Sequence, residues 1–430
     1  MRRAGYSVDG AGALLIFLLS TCCVAALSGA AGEGLPAAPV AARDSAAQLP
    51  RVASLSKLDE LYRQGNEQIF NLDYDEALAT FDEALSVAPE HPAPYAWKAL
   101  TLWMKELFRR GEFDLGRYLD MSRFRSGKKG SAEERSALTK QVLDLVDRGL
   151  ERTSTLSADP ERAVEAKYYH GVLRGIRAGY RTTVLHQFMS AIGDSKGAVS
   201  DHREVLKADP SWVDAEYGLG TYNFVTGTMP WFAKFFGLFV GIHGNTERGI
   251  EQIEHVAAEG SRLKDSALVT LTVVYVRNDQ PLRAAEILTG LAERFPRNFY
   301  FLQNLAFVLE RAKEWDRSLE VYEELLDRVA AGVPNFDRAD AQRLHLAWGG
   351  AALKAGRGEA ASRAYGWVLE RDDSPASAVT LAHLGRGQAF DLLGNREAAI
   401  ADYRSVLEAA DVQKAHKSAK RYLRKPYTVS

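Results

Sequence analysis

The sequence predicts an all-α fold, a right-handed superhelical solenoid of antiparallel helix pairs, on three observations. Small and aromatic residues recur on one spacing: Ala77, Phe81 and Ala84 stand four and three apart, Pro89 follows five later, and Gly65 lies twelve residues before Ala77. The grid returns downstream in Ala284, Leu288 and Leu291 with Pro296, in Ser318, Tyr322 and Leu325, in Gly349 with Ala361, Tyr365 and Val368, and in Gly387 with Ala399, Tyr403 and Val406. Composition is that of a packed soluble chain, 46% hydrophobic and 26% charged over 430 residues.

The grid has a simple physical content. Small residues let two antiparallel helices approach, the aromatic fills the groove between them, and proline opens the next helix. One match is common in any helical core, whereas recurrence at compatible spacing specifies a repeat. This spacing resembles the tetratricopeptide repeat, and the resemblance implies about eight such units. Three of them are stretched. The step between the small residues of paired helices is twelve in a regular unit, but 50 from Ala99 to Gly149, 27 from Gly171 to Ala198 and 29 from Gly220 to Gly249.

The central units carry a further resemblance. The run Asp214 to Phe224, then Met229-Pro230, Gly241, Gly244-Asn245 and Arg248-Gly249-Ile250, is similar to the centre of a eukaryotic tetratricopeptide family named for inclusion-body clearance and found at the outer mitochondrial membrane. Asn245 stands where that family has Asp, and Met229 where it has Leu. The resemblance covers roughly residues 165 to 300. It implies work near membranes or protein aggregates, and it brings no catalytic residue.

Residues 1–31 read as a signal peptide or an N-terminal membrane anchor. Arg2 and Arg3 precede the apolar run Leu14 to Leu19, and the small residues Ser28 to Ala31 offer a cleavage region. Apolar or small residues extend from Ala11 to Ala31, close to the ~20 that span a bilayer. Residues 32–54, rich in Ala and Pro, read as a disordered tether. Repeat units with an insertion follow over 55–160, stretched central units over 161–264 and further units over 265–413. A basic capping helix and tail occupy 414–430, with Lys414, Lys417, Lys420, Arg421, Arg424 and Lys425 and no acid among them.

Chemistry is sparse. The formal net charge of −2 gives no field to draw the chain onto nucleic acid, and none is expected as a partner. Cys22 and Cys23 both lie in the N-terminal apolar segment, so the folded part has no disulfide, thiolate metal site or cysteine nucleophile. There is no phosphate-binding Gly-x4-Gly-Lys loop, and the Gly-rich stretch Gly241 to Thr246 reads as a turn in which Asn245 or Thr246 caps a helix. The nine histidines include no His-Glu-x-x-His pair, and His170, His345 and His383 read as helix-packing residues. No cofactor, metal or catalytic residue is expected, and the chain does not read as an enzyme.

What remains is binding. The resemblance implies that first helices of successive pairs line a concave face, presenting Tyr62, Asn66, Tyr300, Gln303, Phe307, Glu310, Arg311, Arg343, Leu346, Lys354, Leu384, Gln388 and Asp391. Aromatic, amide and charged side chains of this kind suit a protein or peptide segment. The clamp by which related repeats hold a chaperone's carboxylate needs lysine where Tyr62 stands, which argues against that mode. The sharpest apolar feature is the insert 230–240, where Trp231, Phe232, Phe235, Phe236 and Phe239 fall on one face of a helix. It suits burial between units, a partner-binding patch or a membrane surface. The expectation is therefore an exported interaction scaffold in the cell envelope, periplasmic or secreted. The alternative is a membrane-associated protein that handles an apolar ligand through the insert. The oligomeric state is left open.

Overall fold

The computed structural model describes residues 48–115, 132–229 and 244–429. Residues 1–47, including the expected signal segment, and the insert 230–240 with Trp231, Phe235 and Phe239 lie outside them. Among the described residues there are 17 α-helices, two short 3-10 turns and no strand, and none of the helices is long and apolar enough to cross a membrane. The chain is an all-α helical repeat, as the spacing predicts. The first helix begins at Gln48, so the last residues of the expected tether are helical.

The helices form two compact units, divided between Asn278 and Asp279. The first holds α1 (Gln48–Phe70), α2 (Tyr74–Val87), α3 (Pro92–Arg109), α4 (Ala132–Leu156), α5 (Ala163–Thr183), α6 (Phe188–Ala208), α7 (Ala215–Gly227), α8 (Thr246–Glu259) and α9 (Lys264–Arg277). The second holds α10 (Pro281–Arg294), α11 (Phe299–Arg311), α12 (Trp315–Ala330), α13 (Ala341–Lys354), α14 (Gly358–Leu369), α15 (Ala376–Leu392), α16 (Arg396–Glu408) and α17 (Ala415–Arg424). The boundary expected between stretched and further repeats, 264/265, lies at the start of α9. Helix α9 is hydrogen-bonded into the first unit, through Tyr217 and Thr270 hydroxyls 2.6 Å apart and through the Tyr275 hydroxyl, which donates to Glu254 at 2.6 Å.

Helix starts follow the local sequence. His91, Asn245, Asn298, Asp340 and Asn395 each accept a backbone N–H two or three residues on, at 3.0 to 3.2 Å. Gly356 and Gly394, at φ +71° and +76°, end α13 and α15 in the left-handed conformation that glycine tolerates best.

Packing within each pair rests on the grid. A Cβ placed on Gly65 would lie 2.2 Å from the Phe81 ring, on Gly349 2.7 Å from Tyr365, and on Gly387 2.6 Å from Tyr403. The aromatic ring thus lies against a glycine sixteen residues earlier. In the stretched α7–α8 pair two glycines replace this lock, and backbone meets backbone. A Cβ on Gly249 would stand 2.5 Å from the Phe224 nitrogen and 2.7 Å from the Gly220 carbonyl. The extra residues between Gly171 and Ala198 lengthen both helices, so that α5 and α6 have 21 residues each. The other two stretches contain 116–131 and 230–243, outside the described residues. The basic helix α17 caps the second unit with Ala415, Ala419 and Tyr422 buried against Tyr403 and Val406.

Gly249→Ala is expected to destabilise the fold by about 2 kcal/mol or more, because its methyl meets backbone that cannot rotate away. Gly290→Ala, on an exposed turn of α10 with nothing within 4 Å of the added carbon, should gain about 1 kcal/mol of helix propensity. Urea unfolding midpoints of the two variants, moving in opposite directions from wild type, check both statements.

Candidate functional site

In the first unit the place expected to receive a partner at Tyr62 is already filled. Tyr62, on α1, is only 3% exposed and packs on Trp97 with ring centroids 5.3 Å apart. The guanidinium of Arg262, from the turn between α8 and α9, lies 4.9 Å from the centre of the Tyr62 ring. The Tyr62 hydroxyl donates to the Arg262 carbonyl at 2.9 Å, and Arg262 forms an ion pair with Asp59 on α1. The turn itself is pinned by buried Asp214, which accepts the Ser261 hydroxyl at 2.9 Å and the Leu263 N–H at 3.2 Å. A residue 200 positions downstream therefore occupies the place expected for a ligand at Tyr62. Burial drives the Tyr62 and Tyr169 hydroxyls far above their ordinary range, which keeps both neutral. Asn66, one turn on, is half-buried.

The second unit presents its first helices differently. On α11, Tyr300 is buried against Phe299, Gln303 and Phe307 are half-buried, and Arg311 is exposed. Arg343 and Leu346 on α13, and Leu384 and Gln388 on α15, are also half-buried. Gln388 donates to the Tyr422 hydroxyl at 3.2 Å. Two carboxylates mark the far ends of α11 and α15. Glu310 accepts the Tyr322 hydroxyl at 2.9 Å and Lys354 at 2.9 Å, which ties α11 to α13. Asp391, whose side chain is 0% exposed, accepts the Tyr403 hydroxyl at 2.7 Å and Arg396 at 2.8 Å. In both cases the grid tyrosine reaches the carboxylate twelve residues before it.

The structure thus brings Gln303, Phe307, Glu310, Arg311, Arg343 and Gln388 into one unit and separates them from Tyr62, which is buried in the other. The signal missed in the sequence is Arg262. Nothing local to it announces a partner two hundred residues away. Trp231, Phe235 and Phe239 lie outside the described residues.

The histidines serve packing and ion clusters. His170 and Arg174 both reach Asp201, at 2.7 and 3.3 Å, and His383 and Arg386 both reach Asp402, at 2.7 and 2.9 Å. Burial tends to raise the Asp402 carboxyl, but hydrogen bonds from His383 and Arg386 outweigh it and hold the group below the usual carboxylate range. His202 is wedged between Gly171 and Gly218, whose Cβ positions would lie 2.7 Å from its ring. His345 stacks on Trp367 at 3.9 Å. Burial depresses both to about 4, against a small opposing pull from Asp201 on His202 and with added repulsion from Arg371 on His345. Among the described residues no group of three His, Cys, Asp or Glu side chains is placed to hold a metal ion.

The tetratricopeptide repeat family matches residues 273–333 and 346–414. Among solved structures, a human IFIT1 dimer with m7Gppp-AAAA is 14% identical with a TM-score of 0.34, covering 98% of this chain and 86% of that one. The TPR domain of P58(IPK) is 14% identical with a TM-score of 0.24, over 85% of this chain and 97% of that one. The APC/C hetero-tetramer Cut9–Hcn1 is 13% identical with a TM-score of 0.19, over 87% and 92%. A search of curated protein sequences returned no match.

Because both histidines are neutral when folded and protonate near 6.5 when unfolded, the unfolded chain binds more protons between pH 6.5 and 4. Stability is therefore full above 6.5 and falls as pH drops, by about 2 kcal/mol per histidine between pH 7 and 5. Unfolding free energies at the two pH values test this, and His345→Phe, which keeps the stack on Trp367, should remove about half of the fall.

Proposed function

We propose that this chain, whose second unit is built of tetratricopeptide repeats, is an interaction scaffold that holds a protein segment on the first helices of that unit. The observation that carries the reading is the contrast between the two units. In the first, Arg262 and buried aromatics fill the place at Tyr62. In the second, Gln303, Phe307, Leu346 and Gln388 remain half-buried beside exposed Arg311. Half-buried apolar and amide side chains give a bound segment both a surface to cover and hydrogen bonds to its backbone. The basic N-terminal start, apolar run and small-residue region support work after export, in an envelope space such as a periplasm.

Affinity capture from envelope fractions with the chain as bait is expected to recover a protein partner. Binding of that partner should weaken roughly ten-fold, about 1.4 kcal/mol, in Phe307→Ala. Arg311→Glu should slow association and change its salt dependence. Recovery of nothing, or binding by both variants equal to wild type with helical content unchanged, would overturn the proposal.

A further inference from the structure

The segment after α17 does not run into solvent. Arg424 ends the helix, Lys425 is extended at φ −139° and ψ 122°, and Pro426 prevents further helix. The chain then turns back along the second unit, against the order of the repeats. The Tyr427 N–H donates to Asp391 at 2.7 Å, and the Tyr427 ring meets Tyr422 edge-on at 5.4 Å while packing against the aromatic and alanine core around Trp348 and Tyr365. Two residues on, a Val429 methyl lies 3.7 Å from the Cβ position of Gly356, at the end of α13. Beyond Gly356 in the same direction stand Lys354 and Glu310, bonded to each other at 2.9 Å.

This is how an extended peptide binds: one backbone N–H on a fixed acceptor, one aromatic in a partly buried seat, and a β-branched side chain against glycine two residues further. The segment is lightly held. Tyr427 is half-buried, whereas Lys425, Pro426, Thr428 and Val429 are exposed. The neighbouring helix does not depend on it, because Arg396 caps α17 directly by donating to the Tyr422 and Leu423 carbonyls at 2.7 and 2.9 Å. The Asp391 carboxylate likewise keeps its bonds to Tyr403 and Arg396 without it. Its seat is thus prepared by the fold and filled by a detachable piece of the same chain.

We propose that residues 425–429 are an internal ligand, occupying in cis the seat for an extended partner segment that carries an aromatic residue followed two positions later by a β-branched one. This rests on the scaffold reading above and adds its regulation: a partner must displace the segment before it reaches Asp391. An acidic residue next to the aromatic would be repelled by Asp391, so the favoured partner carries no acid there, just as Pro426 and Thr428 are not acidic.

The test uses a fluorescent peptide of the sequence Arg-Lys-Pro-Tyr-Thr-Val and three proteins: the full chain, a chain lacking residues 425–430, and the full chain with Tyr427→Ala. Asp391 itself is not varied, because it also anchors Tyr403 and Arg396. The shortened chain should bind the peptide at least ten-fold more tightly than the full chain, and Tyr427→Ala should approach the shortened chain. A peptide with alanine for its tyrosine should not bind. No binding to the shortened chain, or equal binding by full and shortened chains, overturns the internal-ligand proposal. The scaffold reading would then stand or fall separately, on the effect of Phe307→Ala on the captured partner.

Discussion

Three helix pairs that follow the grid depend on one contact, an aromatic ring on the second helix against a glycine on the first. Gly65 with Phe81, Gly349 with Tyr365 and Gly387 with Tyr403 are spaced alike and leave no room for a β-carbon. The contact sets how near the helices come, and that distance sets what the tyrosine hydroxyl can reach. In two pairs it reaches a carboxylate twelve residues earlier, Glu310 from Tyr322 and Asp391 from Tyr403. In the pairs with Phe81 and Tyr365 the same register holds Ile69 and Leu353, and no carboxylate is positioned. A packing constraint therefore also decides where the polar groups at the ends of the first helices stand.

The two units use a similar repeat to opposite ends. Arg262 sits in apolar and aromatic surroundings, where an isolated guanidinium would be costly. Asp59 and the Tyr62 ring face compensate its charge, and buried Asp214 fixes the turn that delivers it. The result is that the place at Tyr62 is joined to the turn between α8 and α9 and is closed there. In the second unit the comparable cations stay near the surface. Lys354 spans two first helices at Glu310, and Arg396 holds Asp391 while capping α17. Charge pairs there stiffen the ends of the helices and leave the amide and aromatic positions between them half-open.

The segment at 425–429 shows why a buried carboxylate matters. Asp391 is fully enclosed, yet its oxygens are shared among a phenol, a guanidinium and one backbone N–H. The first two belong to rigid helices and preorganise the acceptor. The third comes from an extended segment held otherwise by the Tyr427 ring and a Val429 methyl, so exchange of that one donor for another leaves the fold intact.

Spacing made the helix pairs and their small and aromatic contact positions legible in the sequence, while residue type offered Asn245 or Thr246 as a cap and position gave the basic helix its capping role. Each of these is a local or one-pair relation, readable from residues at most a few turns apart. The resemblance to the tetratricopeptide repeat implied an open binding face at Tyr62, and this is where it reached its limit. Exposure of a first-helix residue depends on what the rest of the array folds against it, and Arg262 comes from two hundred residues away. Nor could spacing show that Asp391 accepts the Tyr427 N–H, since an extended segment after a proline carries no period. The sequence by itself determined that the chain stacks helix pairs and which residues lock each pair, because sterics between neighbours depend on fixed separations. Only the tertiary structure decided which first-helix faces are sealed, which are half-open and which are already occupied, because those outcomes come from contacts between residues with no set distance along the chain.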